Sequence, residues 1–287
     1  MTGVQTCALP ICKAEAFRLA EDLRDEFVIR ASGVVTERAE DLRNDKIPTG
    51  GVELLVDELV ILNRAETLPI QPFSENQANE ELRLKYRFLD LRRPKMQQML
   101  KKRAEMYQII HKYMNDNEFT EVQTPILANS SPEGARDFII PSRLHEGKYY
   151  ALPQAPQQFK QLLMVGGLPR YYQLAACFRD EDPRADRLYG EFYQLDCEMS
   201  FVEDGEEVRR TVEPLIKNLA TDFAGKKLLS EDIPRIPYVE AMEKYGSDKP
   251  DLRFGMELVD LTGIFSETKF GVFKNAECIK AICVKKT

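Results

Sequence analysis

Histidine is almost missing from this sequence: His111 and His145 are the only two in 287 residues. A Ser-His-Asp or Cys-His nucleophilic apparatus is therefore disfavoured. Six cysteines stand at positions 7, 12, 177, 197, 278 and 283 with no C-x-x-C pair. With so few histidines beside them, they argue against a zinc site and against a disulfide framework. No run of about 18 apolar residues occurs, and no basic stretch leads into an apolar segment at the N-terminus. Neither a membrane span nor a signal peptide is supported, so a cytoplasmic location is expected. Chemistry in such a chain should rest on carboxylates, arginines and a metal ion.

What is present is a 43% hydrophobic, 30% charged composition, enough to bury more than one core in two domains or parts of three. The net charge of −7 gives no general attraction to a polyanion, so nucleic-acid binding would need a local basic patch. One lies between Arg83 and Arg103, where nine basic residues face Asp90 alone. A solvated helix face accounts for such a run equally well.

Residues 1–12, MTGVQTCALPIC, match neither the helical nor the strand pattern of the next segment and are expected to be foreign to the fold. From Lys13, the spacing of Phe17, Ala20, Leu23 and Phe27 predicts a helix, and FVIRASGVVTER and VELLVDELVILN read as strands of a small β domain. Asn63 to Glu81, with Pro69 and Pro72, reads as a linker. Pro94 opens a second helix through Met99, Arg103, Met106, Ile110 and Tyr113, ending at Asn115-Asp116-Asn117. FTEVQTPIL is expected as a strand broken by Pro125. KYYALP, YYQLAACFRD and EFYQLDCEMSF are expected to join it in an antiparallel sheet. A helix over EEVRRTVEPLIKNLATDFAG comes next, and Pro234, Pro237, Gly246 and Pro250 mark entry into another unit.

Alternation places Tyr171, Gln173, Ala175, Cys177 and Arg179 on one face of their strand and Tyr172, Leu174, Ala176 and Phe178 on the other. In the next strand Tyr193, Leu195, Cys197, Met199 and Phe201 form the apolar set, while Phe192, Gln194, Asp196 and Glu198 share the polar one. A sheet face carrying an arginine, glutamines and carboxylates is costly to bury unless a polar ligand meets it. The connection RDEDPRADRLYGEF sets Arg179, Arg184 and Arg187 among Asp180, Glu181, Asp182 and Asp186. Arginine forks grip phosphate oxygens, and carboxylates hold Mg²⁺ or an adenine amino group, so the pattern suits ATP. A solvated, salt-bridged hairpin would read the same way. Upstream, SPEGARDF carries Glu133 in a loop, and QAPQQFKQ starts a helix with Gln157 and Lys160 on one face. A lysine and a carboxylate converging on one pocket fit a zwitterion such as an α-amino acid.

Taken together, FTEVQTPIL resembles the first signature of class II aminoacyl-tRNA synthetases, and FRDED through EFYQLDCEMSF resembles the second. LDLRRP, SPEGARDF, LPQAPQQFKQLLM and YGSDKPDLRFGMEL are similar to bacterial aspartyl-tRNA synthetases in particular, and the similarity runs from Lys13 to the end. The resemblance implies an α+β fold. Its parts are a partial OB-fold anticodon-binding barrel over 13–65, a hinge over 66–93, the class II antiparallel-sheet catalytic core over 94–233, and the start of an α/β insertion domain over 234–287. It also implies ATP and Mg²⁺ as cofactors, tRNA and L-aspartate as partners, and a homodimer. By the same resemblance Arg179 is the catalytic residue, meeting the ATP α-phosphate and the aspartate carboxylate. Asp180, Glu181, Phe192 and Gln194 complete the ATP site, with Phe192 under adenine. Glu133, Gln157, Lys160 and Asp196 bind aspartate, Lys160 through the side-chain carboxylate. Selectivity against asparagine would come from leaving that ammonium unpaired, at a cost on the order of 2–4 kcal/mol.

The pattern departs from the family in three places. Ala155 stands where serine is usual, which removes a polar contact. Arg187 to Phe192 reads R-L-Y-G-E-F where the family has the shorter R-Q-P-E-F. The chain also ends within the expected insertion domain, before the third signature, so the 287 residues alone are expected to be an inactive fragment. Other readings are asparaginyl- or lysyl-tRNA synthetase, a tRNA-independent amide-forming relative, and a non-catalytic synthetase-like protein that binds RNA or a partner. Lys160 disfavours a lysine pocket.

Overall fold

The computed structural model describes residues 13–45, 47–182 and 190–284. They divide into two compact units after Leu100. In the first, α1 (Ala14–Glu21) precedes the antiparallel pair β1 (Val28–Glu37) and β2 (Val52–Asn63). The two strands are those expected from their β-branched content. A bulge interrupts their register between Ser32 and Gly33, and a Cβ on Gly33 would lie 1.9 Å from the Leu55 carbonyl oxygen, so only glycine fits there. The inward stripe of α1 is Ala16 with Leu19 and Ala20, joined by Leu23 just past the helix end, packed on Val56 and Leu59. This is a rotation from the expected stripe, since Phe17 is 55% exposed. The helix stops before Leu23, so the helical spacing to Phe27 has no counterpart in space.

The hinge expected over 66–93 contains two short helices, α2 (Glu80–Lys85) and α3 (Arg87–Asp90). Asn79 caps α2 by accepting the Leu82 N–H at 2.9 Å. Asp90 is fully buried; Arg93 Nε lies 2.6 Å and Arg87 Nη1 2.5 Å from its carboxylate, with Arg83 at 4.0 Å. The hydrogen bond from Arg93, with the charges around it, holds that carboxyl below its usual range although burial opposes it. Arg92 pairs with Glu26 at 2.7 Å. Four of the nine basic residues of this run therefore serve internal ion pairs rather than a free basic surface.

The long helix α4 (Pro94–Asp116) carries Met106, Ile109, Ile110, Tyr113 and Met114 into the core of the second unit. Met99 is 48% exposed, so the packed stripe starts later than its spacing suggests. Next come β3 (Thr120–Glu121), β4 (Ile139–Pro141), β5 (Tyr149–Ala151), α5 (Gln157–Val165), β6 (Arg170–Arg179), β7 (Gly190–Met199) and α6 (Gly205–Asn218). The principal sheet has the order β3-β6-β7. β6 and β7 pair antiparallel over their whole length, as expected, but β3 joins β6 in parallel. KYYALP also stands apart from this sheet, because β5 pairs with β4 in a separate two-stranded ribbon. Phe201, placed by alternation with the core set, lies beyond the end of β7 with φ of 58° and is 97% exposed. α6 starts on an Asp204 cap, runs into a π-helical turn at Leu219–Phe223, and buries Leu215 completely against α4 and the sheet. The remaining elements are α7 (Tyr238–Tyr245), β8 (Leu258–Asp260), α8 (Thr262–Phe265), α9 (Gly271–Lys274) and β9 (Lys280–Ile282), with β8 and β9 antiparallel. Among the described residues no helix is long and apolar enough to cross a membrane.

Candidate active site

β6 and β7 lie in register with Tyr171 opposite Glu198, Gln173 opposite Asp196, Ala175 opposite Gln194 and Cys177 opposite Phe192. Alternation then puts all of these side chains and Arg179 on one face of the sheet. Tyr172, Leu174, Leu195, Cys197 and Met199 point the other way and pack under α4 and α6. The polar face is thus supported from behind by an apolar layer and is fixed in place by it.

α5 brings Lys160 onto this face. Its ammonium lies 2.8 Å from Asp196 Oδ1 and 3.1 Å from Glu198 Oε2, and the residue is only 9% exposed. Burial works to lower the Lys160 pKa, but the hydrogen bonds to Asp196 and Glu198 outweigh it and the net shift is upward. Lys160 is a fixed positive charge. Tyr171 and Thr124 both donate to Gln173 Oε1, at 2.9 and 3.0 Å, which leaves the amide nitrogen of Gln173 as the donor. Burial, and then the Asp196 charge, push the Tyr171 phenol up, so it remains a neutral donor.

Cys177 reports on the convergence of the site. Burial pushes its thiol up to about 11; Arg179 and Lys160 draw it down, while Asp196 and Glu133 push it up. Four charged candidates from four separate segments thus act on one sulfur. A thiol with this pKa is no nucleophile at neutral pH, and its S–H donates to Gln194 Oε1 at 3.2 Å. The guanidinium carbon of Arg179 lies 5.0 Å from the centre of the Phe192 ring. Arg179 Nε and Asp196 Oδ2 are both buried without a hydrogen-bond partner. Leaving a buried donor and a buried acceptor unpaired is costly, and a ligand with an anionic group for Arg179 and a cationic group for Asp196 would satisfy both.

Gln157 is half-buried in the first turn of α5, one turn before Lys160. Glu133 sits in the loop between β3 and β4 and accepts from Ser131 Oγ at 3.2 Å. Asp180 is tied to that loop: its N–H donates to the Arg136 carbonyl at 3.0 Å, and its carboxylate lies 3.6 Å from Arg136 Nε. The Glu181 N–H donates to the Arg179 carbonyl at 3.1 Å. Arg184 and Arg187 lie outside the described residues. Among the described residues no cluster of three or more His, Cys, Asp or Glu side chains could hold a metal ion. Two side chains that sequence reasoning left without a role stand out, Glu198 as the second carboxylate on Lys160 and Gln154 beneath the Glu133 loop. Even spacing along β7 placed Glu198 on the right face; no sequence signal singled out Gln154.

The family model for class II tRNA synthetases (D, K and N) matches residues 79–281. The chain is 55% identical over 260 residues to the aspartate–tRNA(Asp/Asn) ligase of Rhizobium meliloti (strain 1021), covering 91% of this chain and 44% of that protein. It is 49% identical over 288 residues to the ligase of the same name from Chlorobium phaeobacteroides (strain BS1), covering 99% of this chain and 47% of that one. Among solved structures, asparaginyl-tRNA synthetase from Pyrococcus horikoshii complexed with asparaginyl-adenylate is similar, with a TM-score of 0.61 and 27% identity over 86% of this chain and 57% of that one. The chain spans less than half the length of the curated relatives it matches. With its principal sheet, its polar face and the match over residues 79–281, this chain belongs to the class II tRNA synthetases of the D, K and N group.

Proposed function

We propose that this chain carries the amino-acid-activating site of an aspartate–tRNA ligase, which joins L-aspartate to ATP as aspartyl-adenylate and passes it to the 3′ end of tRNA. The observation that carries the reading is the buried Lys160 ammonium set on a sheet face beside a buried, unpartnered Arg179 Nε and Asp196 Oδ2. Lys160 has three N–H donors. Asp196 and Glu198 take two, and the third is left for the aspartate side-chain carboxylate. Asp196 Oδ2, with Glu133, meets the α-ammonium. Arg179 receives the α-carboxylate and the ATP α-phosphate, Phe192 stacks on adenine, Asp180 and Glu181 line the nucleotide side, and Gln157 and Gln194 supply amide hydrogen bonds.

The aspartate carboxylate attacks the α-phosphorus in line, a new acyl–phosphate bond forms, and the bond to the β-phosphate oxygen breaks to release pyrophosphate. A ribose hydroxyl at the tRNA terminus then attacks the acyl carbon and AMP leaves. No protein nucleophile is needed, which agrees with a Cys177 thiol held at about 11. Catalysis is positioning and charge stabilisation by fixed groups. Mg²⁺ bound to the ATP phosphates would offset their charge; the described residues assemble no cage for it, so it would arrive with the nucleotide.

The finer assignments belong to the same reading. They are residues 13–65 as part of an OB-fold anticodon-binding barrel, 66–93 as a hinge, 94–233 as the catalytic domain, 234–287 as the start of an insertion domain, a homodimeric assembly and a cytoplasmic location. Aspartate-dependent exchange of pyrophosphate into ATP tests the activity. Exchange driven by asparagine or lysine instead would refute it.

A further inference from the structure

Gln154 is 1% exposed, and its whole side chain is spent on one loop. Its Oε1 accepts the Ala135 N–H at 3.1 Å while its Nε2 donates to the Ala135 carbonyl at 2.9 Å, so the side-chain amide pairs with that backbone unit as a neighbouring strand would. Nε2 also donates to Asp137 Oδ1 at 2.6 Å and reaches the Ser131 carbonyl at 3.4 Å. Asp137 in turn accepts from Ser130 Oγ. The contacts fall on both sides of Glu133 and Gly134, and Gly134 has φ of +94°, a turn that a side chain would strain. No step of aspartate activation or transfer uses Gln154 directly.

We infer that Gln154 is a positioning residue: it clasps residues 131–137 and thereby holds Glu133 where it meets the α-ammonium of the amino acid. The inference rests on the aspartate-activating reading, since that reading gives Glu133 its role. Two further observations point the same way. The clasped loop is also bound to the site end of β6, where the N–H of Asp180, the neighbour of Arg179, donates to the Arg136 carbonyl at 3.0 Å. The Ser131 hydroxyl that donates to Glu133 belongs to a residue whose carbonyl Gln154 also reaches, so one network links the clasp to the carboxylate.

The test uses the chain itself and two readouts. The first is titration with a non-hydrolysable sulfamoyl analogue of aspartyl-adenylate, and with AMP alone, for the unaltered chain, Gln154→Ala, Glu133→Gln and the double variant. Gln154→Ala is expected to weaken the analogue about tenfold, with AMP binding unchanged and little further loss in the double variant, as for residues acting through one network. The second is hydrogen exchange at the Ala135 amide, expected to accelerate in Gln154→Ala with or without ligand. Glu at position 154 keeps the acceptor and loses both donors, so Gln154→Glu should not rescue either readout. Equal weakening of analogue and AMP, or fully additive losses, would reduce Gln154 to a structural residue and overturn the inference. Failure of the unaltered chain to bind the analogue would overturn the functional reading instead; the exchange measurement would still decide whether Gln154 holds the loop.

Discussion

Lys160 shows how one side chain sets the character of the site. An isolated buried ammonium would shed its proton, yet two carboxylates hold this one and leave a single N–H donor to spare. An asparagine side chain would still find that donor, but would offer a neutral oxygen instead of a charged one. The penalty is then the difference between a charge-assisted and a neutral hydrogen bond, about 1.4 kcal/mol or a factor of about 10, below what a wholly unpaired ammonium would cost. Lys160→Gln should therefore erase the preference for aspartate over asparagine by about that factor. The check is the ratio of kcat/KM for the two amino acids in adenylate formation.

At the scale of elements, α6 divides its work between its faces. Leu215 is fully buried and Ile216 is 49% exposed. Leu215→Ala should cost about 3 kcal/mol in denaturant unfolding, and Ile216→Ala about 0.5 kcal/mol or less. On the outer face, Arg235 bonds Glu206 at 2.9 Å and Glu213 at 2.7 Å. Hydrogen bonds, from Arg235 and Arg209 at Glu206 and from Lys217 and Arg235 at Glu213, lower both carboxyls to about 2. Groups with a lowered folded-state pKa stabilise the fold above their unfolded value, about 4.3, and lose that contribution as pH falls towards 2. Arg235→Ala should thus move the acid-unfolding midpoint, followed by circular dichroism at low salt, to higher pH. The shift should shrink as salt screens the pairs.

The same elements show what was legible in advance. β1, β2, α4, β6, β7 and α6 were read correctly because each is long enough for its period to repeat several times. The alternation along β6 and β7 gave the polar and apolar faces correctly as far as Met199. It failed at Phe201, where the strand had ended and the backbone turned left-handed. The parallel direction of β3 could not be read, since its pairing with β6 spans about fifty residues and involves only Thr120 and Glu121. Gln154 escaped notice for a related reason: a glutamine's role depends on which backbone groups lie within 3 Å, and its partners are 17 to 23 residues away.

Over the whole molecule, the charge is negative while the site carries charges of both signs on different segments: Glu133 on the loop, the buried Lys160 on α5, and the half-buried Arg179 and Asp196 on β6 and β7. The match over residues 79–281 places the chain in the D, K and N group of synthetases. The proposal that this site activates aspartate is tested most directly by its choice of amino acid. The most direct measurement is amino-acid-dependent ATP–pyrophosphate exchange, using the full reading frame that contains this chain and presenting aspartate, asparagine and lysine separately. Exchange is expected with aspartate, about tenfold weaker with asparagine, and absent with lysine. Equal or greater exchange with asparagine, or none with any of the three from a folded protein, would contradict the proposal.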